Sequence, residues 1–217
     1  SPFVKRYVEE RQLTLMLMAD VSASQDFGSV ERSKREATAE FCALLAFSAI
    51  RNDDKVGLTL FHGQVEQYIP ARKGQKHALR VVREVLAHEQ AAMDGAPPKA
   101  GWLERLKGAL PGRRPRDARQ ATDISKALEF MMSVNKRRTV CFVVSDFLDE
   151  GFESALSQAN RRHDVVAVLV TDPRELELPR VGVVAMTDAE TGQTRLQDTS
   201  SQAFQKVITA RAAERIE

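Results

Sequence analysis

Asp20, Ser22 and Ser24 stand at alternate positions in Asp20-Val21-Ser22-Ala23-Ser24. One carboxylate and two hydroxyls at that spacing, on a loop, can turn three oxygens toward one point. Oxygen-only ligands suit a hard cation: Mg2+ first, with Mn2+ or Ca2+ as alternatives. Neutral hydroxyls leave much of the ion's charge unmatched, so a bound ion still attracts one more anionic oxygen. The Glu or Asp side chain of a partner protein can supply it. Two later stretches offer the same kind of oxygen. Thr122 lies in Thr122-Asp123-Ile124, and Asp146 lies in Val143-Val144-Ser145-Asp146-Phe147.

Each stretch taken singly has a plainer role. Ser and Asp are common where strands stop and helices start. Thr122 would cap a helix with its hydroxyl. Asp146 would simply end a strand, and Asp149 and Glu150 would be helix-opening acids that the helix dipole favours. Taken together the three loops read as one metal site. Its ligands would be Asp20, Ser22, Ser24, Thr122 and Asp146, supported by Ser145, Asp123 and Asp26.

The elements that must position these loops alternate between strand and helix. Leu13 to Ala19 is nearly continuous in apolar residues, which fits a central strand covered on both faces. Val30 to Arg51 reads as a helix with Ala37, Phe41, Leu44, Leu45 and Ser48 on its apolar side. Lys55 to Phe61 and Val65 to Ile69 read as two strands around the His62-Gly63 turn, antiparallel, with Pro70 ending the second. Gln75 to His88 reads as a helix with Leu79, Val82, Val85 and Leu86 inward. Asp123 to Asn135 is a helix with Ile124, Ala127, Leu128 and Met131 inward. Buried strands are expected at Thr139 to Val144 and Val165 to Val170, around a helix at Gly151 to Arg161. Val181 to Met186 is expected as the last core strand. Asp188 to Gly192 would turn into a short strand at Thr194 to Leu196, and Ser200 to Ile216 would be the terminal helix.

This pattern predicts an α/β fold of Rossmann-like type: a mostly parallel central sheet, one antiparallel edge strand, and helices on both faces. Ligands of such sheets sit outside the carboxyl ends of the strands. Asp20 and Asp146 each follow a strand directly, so both belong on that rim. The 217 residues are read as one domain, with an irregular excursion at 90–121 that carries Pro97, Pro98, Pro111 and Pro115. Inside it, Trp102, Leu103 and Leu106 would form a short helix.

The three stretches in this order resemble the metal-ion-dependent adhesion site of von Willebrand factor type A domains. In that family a first aspartate, two serines, a threonine and a later aspartate surround the ion, and all five positions are matched here. A narrower resemblance covers nearly the whole chain. Val4-Lys5-Arg6-Tyr7-Val8-Glu9-Glu10-Arg11, Lys34-Arg35-Glu36, Asp53-Asp54-Lys55-Val56-Gly57-Leu58 and Val144-Ser145-Asp146-Phe147-Leu148-Asp149 resemble the bacterial family catalogued as domain of unknown function fifty-eight. The resemblance implies a metal-dependent protein-binding adaptor, not an enzyme, working with a MoxR-type AAA+ ATPase. It also implies a further segment upstream of Ser1, which fits a chain that begins without Met. The 90–121 stretch departs from the family as an extension.

Other chemistries fit less well. Lys and Arg number 32 against 30 Asp and Glu, a balance that gives no mandate for nucleic acid or a membrane surface. Arg113, Arg114, Arg116 and Lys136-Arg137-Arg138 are not interleaved with aromatic residues, so base-stacking platforms are missing. No run is long and apolar enough to span a membrane, and no signal peptide is visible. Cys42 and Cys141 lie in apolar runs and read as buried free thiols of a reducing, cytoplasmic compartment. His62, His77, His88 and His163 lack zinc-ligand spacing with either cysteine and read as surface or satisfied polar residues. Neither a P-loop nor Gly-x-Ser-x-Gly occurs. The rival reading is a Mg2+-dependent phosphohydrolase on a similar sheet. It would want a second acid two residues after Asp20, where Ser22 stands, and a lysine clamp for phosphate, and no lysine stands out.

Overall fold

The strand that ends in the proposed site is also the middle of the molecule. In the computed structural model, which describes residues 12–29, 32–93, 122–187 and 194–216, β1 (Thr14–Asp20) is buried from Leu15 to Asp20. A short 3-10 turn at Ala23–Asp26 leads to α1 (Lys34–Arg51), then β2 (Lys55–Phe61), β3 (Val65–Arg72) and α2 (Gln75–Met93). After residue 121 come α3 (Ile124–Val134), β4 (Val140–Ser145), α4 (Glu153–Arg162), β5 (Asp164–Leu169) and the four-residue α5 (Pro173–Leu176). β6 (Val183–Thr187), β7 (Thr194–Asp198) and α6 (Gln202–Ile216) close the described chain. The excursion lies outside the described residues, apart from the end of α2. So do the opening segment before residue 12, Val30, and the turn at 188–192.

The five-stranded sheet has the order β3-β2-β1-β4-β5. β1 runs parallel to β2 and to β4, and β4 runs parallel to β5; β3 alone is antiparallel. Alternation along β1 divides the core. Leu15, Leu17 and Ala19 pack toward α1 and α2, with Cys42, Ala46, Val81, Val82 and Val85. Met16 and Met18 pack toward α3 and α4, against Ile124, Ala127, Leu128, Met131 and Ala159. Cys42 and Cys141 are free and buried, as the sequence predicts, and burial pushes both thiols up to about 12.

Several expectations need correction. The described part of the first helix starts at Lys34, after Ser33, where a capping box fixes its start: the Glu36 N–H donates to Ser33 Oγ at 3.2 Å, and the Ser33 N–H donates to Glu36 Oε2 at 2.7 Å. Its buried face is Lys34, Arg35, Thr38, Ala39, Cys42, Ala46 and Ala49. The expected stripe is only partly right: Phe41 and Leu45 pack against the core, but Leu44 is 67% exposed, and Ala37 and Ser48 are exposed as well. Small residues let α1 lie close to β1, so they, and not Leu44, make most of its inner face. On α2, likewise, Val82 and Val85 are inward while Leu79 and Leu86 are exposed.

β3 does not stop at Pro70 but runs on to Arg72. It pairs with β2 on one side and shifts register between Val56 and Leu58, so Pro70 falls in an irregular stretch. There its missing N–H costs little. β5 is half-exposed at the sheet's edge, not buried, with Val166 42% exposed. Val181 to Met186 is not a core strand. β6 pairs with β7 in a separate two-stranded antiparallel sheet, and Val181, Val183 and Leu196 are exposed. A short apolar run does not reveal its strand partner, and this one pairs with the next strand of the chain.

Candidate metal centre

Parallel pairing of β1 with β4 brings Asp20 and Asp146 to the same rim. Asp20 is only 1% exposed. Its Oδ1 accepts the Ser22 N–H at 2.9 Å, and its Oδ2 accepts the Ser145 hydroxyl at 2.6 Å. Burial pushes this carboxyl's pKa up. The hydrogen bonds from Ser145 and Ser22 offset part of the rise, and the nearby charge of Asp146 adds to it. The Ser22 and Ser24 hydroxyls lie 2.9 Å apart, so the first loop does turn its two hydroxyls toward each other.

Asp146 is equally buried. Its Oδ2 accepts from Lys34 Nζ at 2.7 Å. The next residue, Phe147, sits at φ 50, in the left-handed region that disfavours a bulky side chain. Its N–H donates to Ser145 Oγ at 3.1 Å, so Ser145 holds both the strained turn and Asp20.

Thr122 is buried on the third loop. It does not cap the helix. Asp123 does, accepting the Lys126 N–H at 2.8 Å. Asp149 also serves α3 instead of the following helix: its Oδ2 accepts the Ile124 N–H at 2.8 Å. The Asp123 N–H donates to the His62 carbonyl at 3.1 Å. These bonds hold the Thr122 loop between the turn after β2 and the loop after β4.

Sequence reasoning missed the cations. Lys34 Nζ bridges Asp146 and Glu175, the latter at 2.5 Å. Arg35 Nε pairs with Asp26 at 2.6 Å, and its Nη2 donates to the carbonyls of Val21 and Ser22 at 3.2 and 3.0 Å. Asp26, expected to support the metal ligands, pairs with the same Arg35 that holds the Val21 and Ser22 carbonyls. The available signal was two basic residues opening a helix, where the dipole disfavours them. His163 also departs from expectation: it is buried, and its Nδ1 has no hydrogen-bond partner among the described residues.

A polar relay continues outward from Arg35. Its Nη1 faces His88 Nδ1 at 3.4 Å, and His88 Nε2 meets Glu66 Oε2 at 2.7 Å. His62 Nε2 meets Glu66 Oε1, also at 2.7 Å, while His62 Nδ1 accepts the Gly63 N–H. A carboxylate can only accept, so the Nε2 of each ring gives its hydrogen to Glu66. Burial alone would raise the Glu66 carboxyl, but the bonds from His62 and His88, together with the charge of those rings, outweigh it and bring it to about 2. A depressed acid contributes stability above its unfolded pKa, here 4.5, and loses it as pH falls toward about 2. Glu66→Ala should cost about 1–3 kcal/mol at neutral pH, because two N–H donors lose their acceptor. Thermal melts of both proteins from pH 7 down to pH 3 check this: the gap should narrow on acidification, and a gap independent of pH would contradict the ionised role.

The five expected ligands fit a hard cation in their chemistry. They are two carboxylates and three hydroxyls, and Asp20 is held by neutral donors in a buried position. Among the described residues no three His, Cys, Asp or Glu side chains gather into a group that could hold a metal ion.

A family model described as "Protein of unknown function DUF58" matches residues 1–217. The chain belongs to the DUF58 family. This DUF58 chain is 30% identical over 195 residues to uncharacterized proteins of Mycobacterium tuberculosis and Mycobacterium bovis. The match covers 89% of this chain and 54% of each of theirs, so the chain spans about half the length of the curated relatives it matches. Its fold is similar to that of an aerotolerance-related membrane protein from Bacteroides fragilis, with TM-score 0.50 and 17% identity over 93% of this chain and 86% of that one. A more distant likeness, TM-score 0.35, is to the SpRpn10 VWA domain, over 74% of this chain and 90% of that one. Among the described residues of the DUF58 chain no helix is long and apolar enough to cross a membrane.

Proposed function

We propose that this DUF58 chain is a metal-dependent protein-binding module of the cytoplasm. Asp20, Ser22, Ser24, Thr122 and Asp146 hold Mg2+, with Mn2+ or Ca2+ as substitutes. The ion recruits a Glu or Asp side chain of a partner protein. The observation that carries this reading is the buried Asp20 carboxylate, whose hydrogen bonds come from the neutral Ser145 hydroxyl and Ser22 N–H, beside two hydroxyls that face each other. A buried anion in that setting gains from a cation. Phe27 and Leu148, on the loops after β1 and β4, are 45% and 54% exposed and give the same rim apolar contact for a partner. The resemblance to MoxR-associated proteins names the partner class: a MoxR-type AAA+ ATPase or a client that it remodels.

Lys34 beside Asp146 gives the phosphohydrolase reading the lysine that the sequence did not single out. That reading still lacks an acid at position 22 to protonate a leaving group. Turnover of a generic phosphate ester in Mg2+ would favour it; no turnover is expected.

The binding reading is tested by pull-down of a MoxR-type ATPase with wild type and Asp146→Ala, each in Mg2+ and in EDTA. Recovery is expected for wild type in Mg2+ alone. Equal recovery in all four conditions would show that the site does not mediate the contact.

A further inference from the structure

Lys34 breaks two rules of its own helix. It is the first residue of α1, where a positive charge opposes the helix dipole, and it is buried, with its side chain 2% exposed. Both costs are offset by Asp146 at 2.7 Å and Glu175 at 2.5 Å. Of these two partners, Asp146 is 1% exposed and is a proposed metal ligand, while Glu175 is 18% exposed and lies on the separate α5 segment. The α5 segment is itself fastened to the first loop, because Asp172 accepts from the Ser29 N–H and hydroxyl. The ammonium therefore stands between a carboxylate that a metal would use and one that it would not.

We propose that Lys34 is a tethered cation that occupies Asp146 in the metal-free protein and competes with the divalent ion for it. This rests on the metal reading above. An incoming ion and the ammonium repel each other at this range. Metal entry therefore shifts Lys34 toward Glu175, which keeps it paired. The device lowers the site's affinity for free metal below that of the same ligands without the lysine. A partner carboxylate, which adds a negative charge to the same rim, recovers that loss. Metal and partner are thus bound together more favourably than either alone, a coupling that holds in both directions.

The test is Mn2+ titration of the purified 217-residue chain, read by the electron paramagnetic resonance signal of free Mn2+, for wild type, Lys34→Met and Lys34→Arg. Removing the charge should tighten Mn2+ binding at least about tenfold, and the arginine variant, which keeps the charge, should stay within about threefold of wild type. Circular dichroism establishes that each variant is folded. If Lys34→Met does not fold, Glu175→Gln takes its place: with the direct ion-pair partner on α5 neutralised, Lys34 stays on Asp146, and Mn2+ binding should weaken. Lys34→Met that is folded but binds Mn2+ as wild type does, or more weakly, would reduce Lys34 to a structural pair and overturn the proposal. Unchanged binding by Glu175→Gln would overturn it in the same way. Absence of Mn2+ binding by wild type and every variant is a different result, and it would sink the metal reading together with this inference.

Discussion

Asp20→Asn is expected to abolish metal-induced stabilisation while leaving the metal-free protein at least as stable as wild type at neutral pH. A ligand present at a hundred times its dissociation constant stabilises a fold by about 2.7 kcal/mol. For a protein of this size that is a rise in melting temperature of roughly 5–10 °C. The asparagine keeps the carboxylate's shape: its oxygen still accepts the Ser22 N–H, and its amide can donate to Ser145 Oγ. It removes a charge that burial disfavours. Because the folded-state pKa of Asp20 is raised, the acid's contribution is present below its unfolded pKa and lost as pH rises through the folded value. The advantage of the asparagine should therefore appear at neutral pH and fade on acidification. Differential scanning fluorimetry of both proteins, with and without 10 mM Mg2+, reads both effects. A Mg2+-induced rise that survives in Asp20→Asn would show that the metal binds elsewhere.

The second large effect belongs to the sheet. A Cβ at Gly57 would lie 2.8 Å from the Ala71 nitrogen, 2.8 Å from the Ile69 carbonyl oxygen and 2.8 Å from Met16 Cε. Two of these three are backbone atoms of β3, fixed where its register shifts past Gly57. They cannot withdraw as a side-chain tip can. Gly57→Ala should thus destabilise by about 2–3 kcal/mol, lowering the melting temperature by roughly 5–10 °C. Mg2+ should still raise the melting temperature of this variant, because the site lies at the far end of β1. A melting temperature within 2 °C of wild type would mean that the irregular crossing of β3 over Gly57 is not maintained in solution.

The parts of the fold that could be read from sequence were those with a single dominant period. β1 is apolar on both faces, and α3 carries its inward residues Ile124, Ala127, Leu128 and Met131 at helical spacing; all four are buried. The mostly parallel sheet and the antiparallel β3 followed from strand–helix alternation and the His62-Gly63 turn. What was lost had a physical reason in each case. α1 faces the sheet chiefly with alanines, Cys42 and Thr38; of the expected large residues Phe41 and Leu45 pack only partly against that core, and Leu44 points to solvent. β6 is apolar yet pairs only with β7 among the described strands, because hydrophobicity does not specify a strand's neighbour.

The rim was legible in its anions and not in its cations. Asp20 and Asp146 announce themselves by following buried strands. Lys34 is 112 residues from Asp146 in the chain, and Glu175 a further 29, so only the folded topology makes them neighbours. The bond from Asp149 to the start of α3 was hidden for the same reason, since macrodipole reasoning assigns an acid to the helix that follows it.

The most direct measurement is an anomalous difference map from crystals of this chain soaked in Mn2+. The account predicts one strong peak at the carboxyl rim, among Asp20, Ser22, Ser24, Thr122 and Asp146. It predicts no such peak in crystals of Asp20→Asn. Mn2+ peaks elsewhere on the molecule, with none among these five residues at saturating metal, would contradict it.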